Sequence, residues 1–184
     1  MRYKKIIVII LFFILSTIVW GKGYVGINGK FLFSSDSNYK RIYGNSQFYP
    51  ELEVGLDIYK GIVLFGSYGY FSQTGKTEGE LKEDTKSTKE FLSFGAGYKI
   101  EANEKIYVLI KVGVSRIDYK EESMGEIIKN NKIGLCGEVN IIYNMSKRLY
   151  TKIFIGYMGG KDKIDDVDIK LGGFTAGLGL GIRF

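Results

Sequence analysis

The sequence predicts an all-β protein, an eight-stranded antiparallel up-and-down transmembrane β-barrel. Three observations predict it. After residue 21 no apolar run reaches helical transmembrane length; eight segments instead alternate large apolar side chains with glycine or polar ones, the period of a strand with two unlike faces. The connections between those segments run alternately short and long. Composition agrees: 25 Gly, 14 Tyr and 12 Phe stand beside one Pro, one Cys and no His, with 45% hydrophobic and 25% charged residues.

Residues 1–21 read as a signal peptide. Arg2, Lys4 and Lys5 precede the apolar run 6–20, and Val19 and Gly21 are small enough for the −3 and −1 positions of a cleavage site. The run is shorter than the roughly 20 residues of a spanning helix. No Cys follows it, so no lipoprotein anchor is expected. The mature barrel is therefore expected over 22–184. Removing the three leader cations leaves 23 basic against 20 acidic residues, scattered rather than clustered. No nucleic-acid function follows. One cysteine, Cys136, excludes an internal disulfide framework.

The first predicted strand, 23–33, sets Val25, Ile27, Phe31 and Phe33 against Gly26, Asn28 and Lys30. The second, 49–59, sets Leu52, Val54, Leu56 and Ile58 against Glu53, Gly55, Asp57 and Tyr59, with Pro50 at its start, where a missing donor costs little. The third, 62–73, carries Ile62, Leu64, Tyr68 and Tyr70 opposite Ser67, Gly69 and Gln73. The fourth, 90–100, carries Leu92, Phe94, Ala96, Tyr98 and Ile100 opposite Ser93, Gly95, Gly97 and Lys99. The fifth, 105–118, sets Ile106, Val108, Ile110, Val112 and Val114 against Lys111, Gly113 and Ser115. The sixth, 132–143, sets Ile133, Leu135, Val139, Ile141 and Tyr143 against Gly134, Cys136, Glu138 and Asn140. The seventh, 149–159, sets Leu149, Ile153, Ile155 and Tyr157 against Lys152, Phe154 and Gly156. The eighth, 171–184, sets Phe174, Ala176, Leu178, Leu180, Ile182 and Phe184 against Thr175, Gly177, Gly179, Gly181 and Arg183. The short turns are 60–61, 101–104 and 144–148. The long polar loops are 34–48, 74–89, 120–131 and 160–170. Tight turns at one end and long loops at the other are the stringing of a transmembrane barrel.

Volume decides which face is outside. An eight-stranded barrel has an interior only just wide enough for side chains to fill, too narrow for four to six large apolar residues per strand. The glycine-rich opposite face suits that lumen, and a closed barrel in lipid leaves no backbone polar group unpaired. The lumen is expected to be glycine-lined and charged. Aromatic rings gather at both strand ends, as interfacial girdles do: Tyr24, Tyr59, Tyr98, Tyr143, Tyr150 and Phe184 at the turn ends, and Tyr49, Tyr70, Phe71, Phe91, Tyr119 and Tyr157 at the loop ends; in strict phase several of them, Tyr59 and Tyr150 among them, fall on the lumen side.

The C-terminal run 174–184, FTAGLGLGIRF, ends on an aromatic residue with apolar side chains at every second position before it. It resembles the terminal β-signal of Gram-negative outer-membrane proteins, carried here by Phe174, Leu178, Leu180, Ile182 and Phe184. With the leader and the eight strands, residues 22–184 resemble the OmpA-like and opacity-protein-like family of small barrels, by pattern rather than by close sequence match. The resemblance implies outer-membrane lipid and the barrel-assembly machinery as partners, a monomer, and a host or cell-surface ligand at the loops. No peptidoglycan-binding domain follows Phe184, so the barrel-only members are the better match.

Eight charged residues are expected inside: Lys30, Lys99, Lys111, Lys152 and Arg183 with Glu53, Asp57 and Glu138. Isolated buried charges are costly, so opposite signs should pair; Glu53 and Asp57 are the expected partners of the lysines, and the result is a plug rather than a pathway. Cys136 reads as a small buried filler. Without His, the usual base near neutral pH, no enzyme is expected, and Ser93 or Ser115 with Lys111 would be a strained substitute. Asp162, Asp165, Asp166 and Asp168 lack a regular calcium spacing and alternate with Lys161 and Lys163, so 160–170 reads as a solvated loop, as does the mixed-charge stretch 74–89. No cofactor is expected. The expected role is a structural or surface-interaction one through four outer loops. The alternative is a narrow conduit, disfavoured in its apolar-lumen form by the charged lumen expected here.

Overall fold

The computed structural model describes residues 22–77, 83–123, 125–164 and 167–184; the leader expected over 1–21 lies outside them. The strands are β1 (Gly23–Ser34), β2 (Ser46–Tyr59), β3 (Ile62–Lys76), β4 (Asp84–Glu101), β5 (Ile106–Ser123), β6 (Glu126–Asn144), β7 (Leu149–Met158), β8 (Lys161–Ile164), β9 (Val167–Lys170) and β10 (Gly173–Arg183), with one helix, α1 (Ser37–Tyr43). Eight of the strands close a barrel in the order β1-β10-β7-β6-β5-β4-β3-β2, every pair antiparallel. Closure is made by β1 on β10, from Tyr24 opposite Arg183 to Ser34 opposite Gly173, and two main-chain hydrogen bonds between Gly23 and Phe184 finish the seam.

The large apolar side chains point outward. Ile27, Val112, Ile155, Leu178 and Leu180 are each 63–67% exposed, while their chain neighbours are buried or half-buried. The signal residues Phe174, Leu178, Leu180, Ile182 and Phe184 are exposed as well. Such an outer coat is unsuited to water and suited to hydrocarbon. The β2–β3 turn is the two-residue kind. Lys60 and Gly61 hold φ of 37° and 86°, the left-handed pair that matches strand twist.

Two expectations about the ends of the strands are corrected. The stretches 74–89 and 120–131 are mostly strand: β4 starts at Asp84, β5 runs to Ser123 and β6 begins at Glu126. Thr85, Ser87 and Lys89 keep pointing inward there. Hydropathy marks only the part of a hairpin with one apolar face, whereas the hydrogen-bond ladder continues where both faces are polar. Segment 34–48 holds α1, capped by Asp36, whose side chain accepts from the Tyr39 N–H at 2.9 Å, and 160–170 holds the β8–β9 hairpin.

The lumen is also more apolar than expected. A loop-end layer packs Leu32, Tyr49, Phe71, Phe91, Ile117, Tyr119, Met158 and Leu171; a turn-end layer packs Tyr24, Val63, Tyr107, Leu109, Ile142 and Tyr150. Six residues assigned to girdles (Tyr24, Tyr49, Phe71, Phe91, Tyr119 and Tyr150) are therefore lumen residues, because strand parity, not height, decides the face. Glycines accommodate them: a Cβ on Gly55 would lie 2.1 Å from the Tyr24 ring. Tyr59 departs the other way. It shares Asp57–Tyr59 with a register shift and is 61% exposed.

Candidate functional site

Between the two apolar layers lies a charged tier. Lys30 comes from β1, Glu51 and Glu53 from β2, Lys111 from β5, Glu138 from β6 and Lys152 from β7. All six are buried, Glu53 completely. The Lys30 ammonium lies 2.6 Å from Glu138 and 3.0 Å from Glu51. Lys111 lies 2.6 Å from Glu138 and 3.0 Å from Glu53, and Lys152 lies 2.7 Å from Glu53. Three cations thus meet three anions, which is the condition for burying them at all. Neutral groups complete the shell. The Tyr24 hydroxyl donates to Glu53 at 2.7 Å, Asn28 donates to both Glu51 and Glu53, and the Ser67 hydroxyl donates to Glu51. Rings close the sides: Phe154 lies 5.0 Å from Lys30 and 5.3 Å from Lys152, and Phe65 lies 5.0 Å from Lys111, within cation–π range.

Beside Lys30, Glu51, Lys111 and Cys136 lies a cavity of about 30 Å³, room for little more than a water or two.

Five of the eight sequence-derived lumen charges meet here: Lys30, Glu53, Lys111, Glu138 and Lys152. Asp57, Lys99 and Arg183 do not. Asp57 sits exposed at the register shift of β2. Lys99 pairs with Glu101 at 3.1 Å. The Arg183 guanidinium stacks 4.4 Å from Tyr107 and 5.5 Å from Tyr150. All three belong to the turn-end mouth, one apolar layer away from the network. Glu51 is the residue that sequence reading missed, although it shares the parity of Glu53 and so had a readable signal. In the outer hairpin, Asp162 accepts from Tyr119 and Asn130 and pairs with Lys132. Among the described residues no acidic or sulfur cluster could hold a metal.

The loop end carries a second constellation, beyond Glu90 of β4 and the Arg116–Asp118 ion pair of β5. Helix α1 lies along the upper β3 edge. Its Tyr39 hydroxyl donates to Ser87 at 3.1 Å, and its Tyr43 hydroxyl donates to Glu121 at 2.7 Å. Lys89 is buried with its ammonium 3.8 Å from the Tyr39 ring. Burial pushes Lys89 down to about 8, against the pull of Glu121 and Asp36, and pushes Glu121, Tyr39 and Tyr43 up. The closed loop end, with α1 docked, therefore holds fewer protons at Lys89 than an opened one in which Lys89 is hydrated, between about pH 8 and the ordinary lysine value near 10.4. Docking should tighten as pH rises through that window, by up to about ten-fold per unit. The raised tyrosines reverse the trend above about pH 10, and Glu121, raised by burial, opposes it wherever that carboxyl titrates. Tryptic cleavage at Lys40 and Arg41, normalised to a free peptide, should slow from pH 8 to 9.5; a constant ratio refutes this.

No protein-family model matches the sequence, and no curated protein matches it in sequence. Solved structures do match. OprG of Pseudomonas aeruginosa superposes with a TM-score of 0.72 at 12% identity, covering 89% of this chain and 96% of that one. The fold is that of the small outer-membrane β-barrels. Neisserial surface protein A is similar to this barrel with a TM-score of 0.58 and 15% identity over 89% and 98% of the two chains. Ail of Yersinia pestis, in complex with the heparin analogue sucrose octasulfate, is similar to it with a TM-score of 0.56 and 17% identity over 89% and 99%.

Proposed function

We propose that this protein is an outer-membrane barrel, exported by the leader 1–21 and inserted through its C-terminal strand by the barrel-assembly machinery, that is sealed to solutes and serves as a surface-interaction protein through its loop end. The observation that carries the reading is the buried tier of three lysines and three glutamates. With the bore filled, the surface left to work is the superstructure above the apolar coat: the upper halves of β3 to β6, α1 and the β8–β9 hairpin. That superstructure is ordered by specific contacts, which suits presentation of a fixed binding face. The Ail complex supports the reading, since a barrel of this fold there holds a sulfated sugar.

A second reading is a narrow conduit for apolar solutes. The loop-end layer of Leu32, Tyr49, Phe71, Phe91, Ile117, Tyr119, Met158 and Leu171 favours it, and removes the earlier objection that the lumen is only polar. Planar-bilayer recording separates the two. The sealed barrel should show no steady open level, and cells displaying the protein with 37–43 and 161–170 replaced by short turns should lose adhesion to a host-surface panel. Steady channels in the unmodified protein would promote the conduit.

A further inference from the structure

The turn-end mouth is cationic. Lys22, Lys99, Lys147, Arg148 and Arg183 line one open hollow of about 730 Å³, with Asp57 as the acidic side chain among its lining; Lys99 is partly neutralised by Glu101. One of these cations, Arg183, is held in place. Arg183 is stacked on Tyr107 and Tyr150, and its N–H donates to the Arg148 carbonyl at 2.7 Å, tying the β7 turn to β10. A guanidinium fixed on rings presents its donors in the fork that suits phosphate oxygens.

The wall of the same hollow reaches Ile182 and Phe184, whose side chains are 54% and 38% exposed in the outward coat. Ile182 pairs with Leu149 of β7, also exposed. A site for a soluble anion needs no such apolar flank, whereas a lipid needs both parts, a cationic seat for the phosphate and a greasy groove for the chains. We propose that this hollow seats the phosphate of an anionic phospholipid headgroup, with the acyl chains lying along Leu149, Leu180 and Ile182. The inference rests on the membrane placement proposed above.

The test uses the purified protein in nanodiscs of mixed phosphatidylglycerol and phosphatidylcholine, with the lipids retained after delipidation counted by native mass spectrometry. Phosphatidylglycerol should be retained about ten-fold over phosphatidylcholine, and Lys147→Gln with Arg148→Gln should cut that to about two-fold or less, given the usual contribution of each cation near a lipid surface. Both residues are exposed on a turn, so folding is retained. Lys105→Gln, which removes a turn-end cation outside the hollow, should leave the preference intact. Equal retention of the two lipids overturns the proposal. So does binding of inorganic phosphate, at constant ionic strength, to protein in pure phosphatidylcholine discs with displacement of phosphatidylglycerol from mixed ones, because the site is then one for free anions. Failure to insert at all, read as the absence of a heat-modifiable gel shift, overturns both this proposal and the membrane placement; insertion without lipid preference overturns this one alone.

Discussion

Glu53→Gln should destabilise the barrel by about 3–5 kcal/mol, the usual cost of removing one partner from a buried charge cluster. The glutamine amide can still meet the Tyr24 hydroxyl and Asn28, so shape and most hydrogen bonds survive. What is lost is the negative charge beside Lys111 and Lys152, 3.0 and 2.7 Å away. Lys111 retains Glu138 at 2.6 Å; Lys152 is left buried without its paired anion. Pairing the change with Lys152→Met removes the stranded cation and leaves Lys30 and Lys111 balanced by Glu51 and Glu138. The double variant should recover most of the loss, since a buried pair replaced by apolar groups is often neutral or stabilising. Urea unfolding in lipid vesicles, followed by the gel shift of folded barrel, completes the cycle. Asp57→Asn is the control and should change little, because Asp57 is exposed. Equal effects of Glu53→Gln and Asp57→Asn would show that the charged tier contributes nothing particular.

That contrast also shows how far sequence carried. A period of two assigns each side chain to a face, and it did so for Lys30, Glu53, Lys111, Glu138 and Lys152 as it did for Ile27 and Leu178. It says nothing of height along the barrel axis. Whether two inward charges meet depends on strand stagger, which is a property of closure. So Asp57, four residues from Glu53 and on the same nominal face, was grouped with it, yet the register shift at Asp57–Tyr59 and the intervening layer of Tyr24, Tyr107 and Tyr150 keep it apart. Lys99 and Arg183 share the inward parity but stand at the turn-end mouth for the same reason. Parity already turns several of the end-of-strand rings inward, Tyr150 among them, whereas position at a strand end suggests a girdle; parity decides, and Tyr49 and Phe91 share the parity of Glu51 and Ser93. The upper strands went unread because Thr85, Ser87 and Lys89 alternate without any apolar contrast, and α1 because seven residues are too few for a helical period to show.

The outward coat admits the other large-effect test. Ile153 stands at mid-height on β7, half exposed, opposite Ile141 on β6 and Leu178 on β10. If hydrocarbon surrounds it, Ile153→Arg should cost about 2–4 kcal/mol, the penalty of a cation at the midplane of a barrel's lipid face. The same change at Ile127, 62% exposed at the tip of the β5–β6 hairpin beyond the coat, should cost almost nothing, because water reaches that height. Arginine is equally long and equally charged at both positions, so the difference isolates the solvent. Stability in phosphatidylcholine vesicles against urea measures it. A water-soluble barrel would show no such difference: an arginine on an exposed strand face costs little anywhere. Equal, small effects at Ile153 and Ile127 would therefore mean that the greasy face never meets lipid, whatever the closure of the strands.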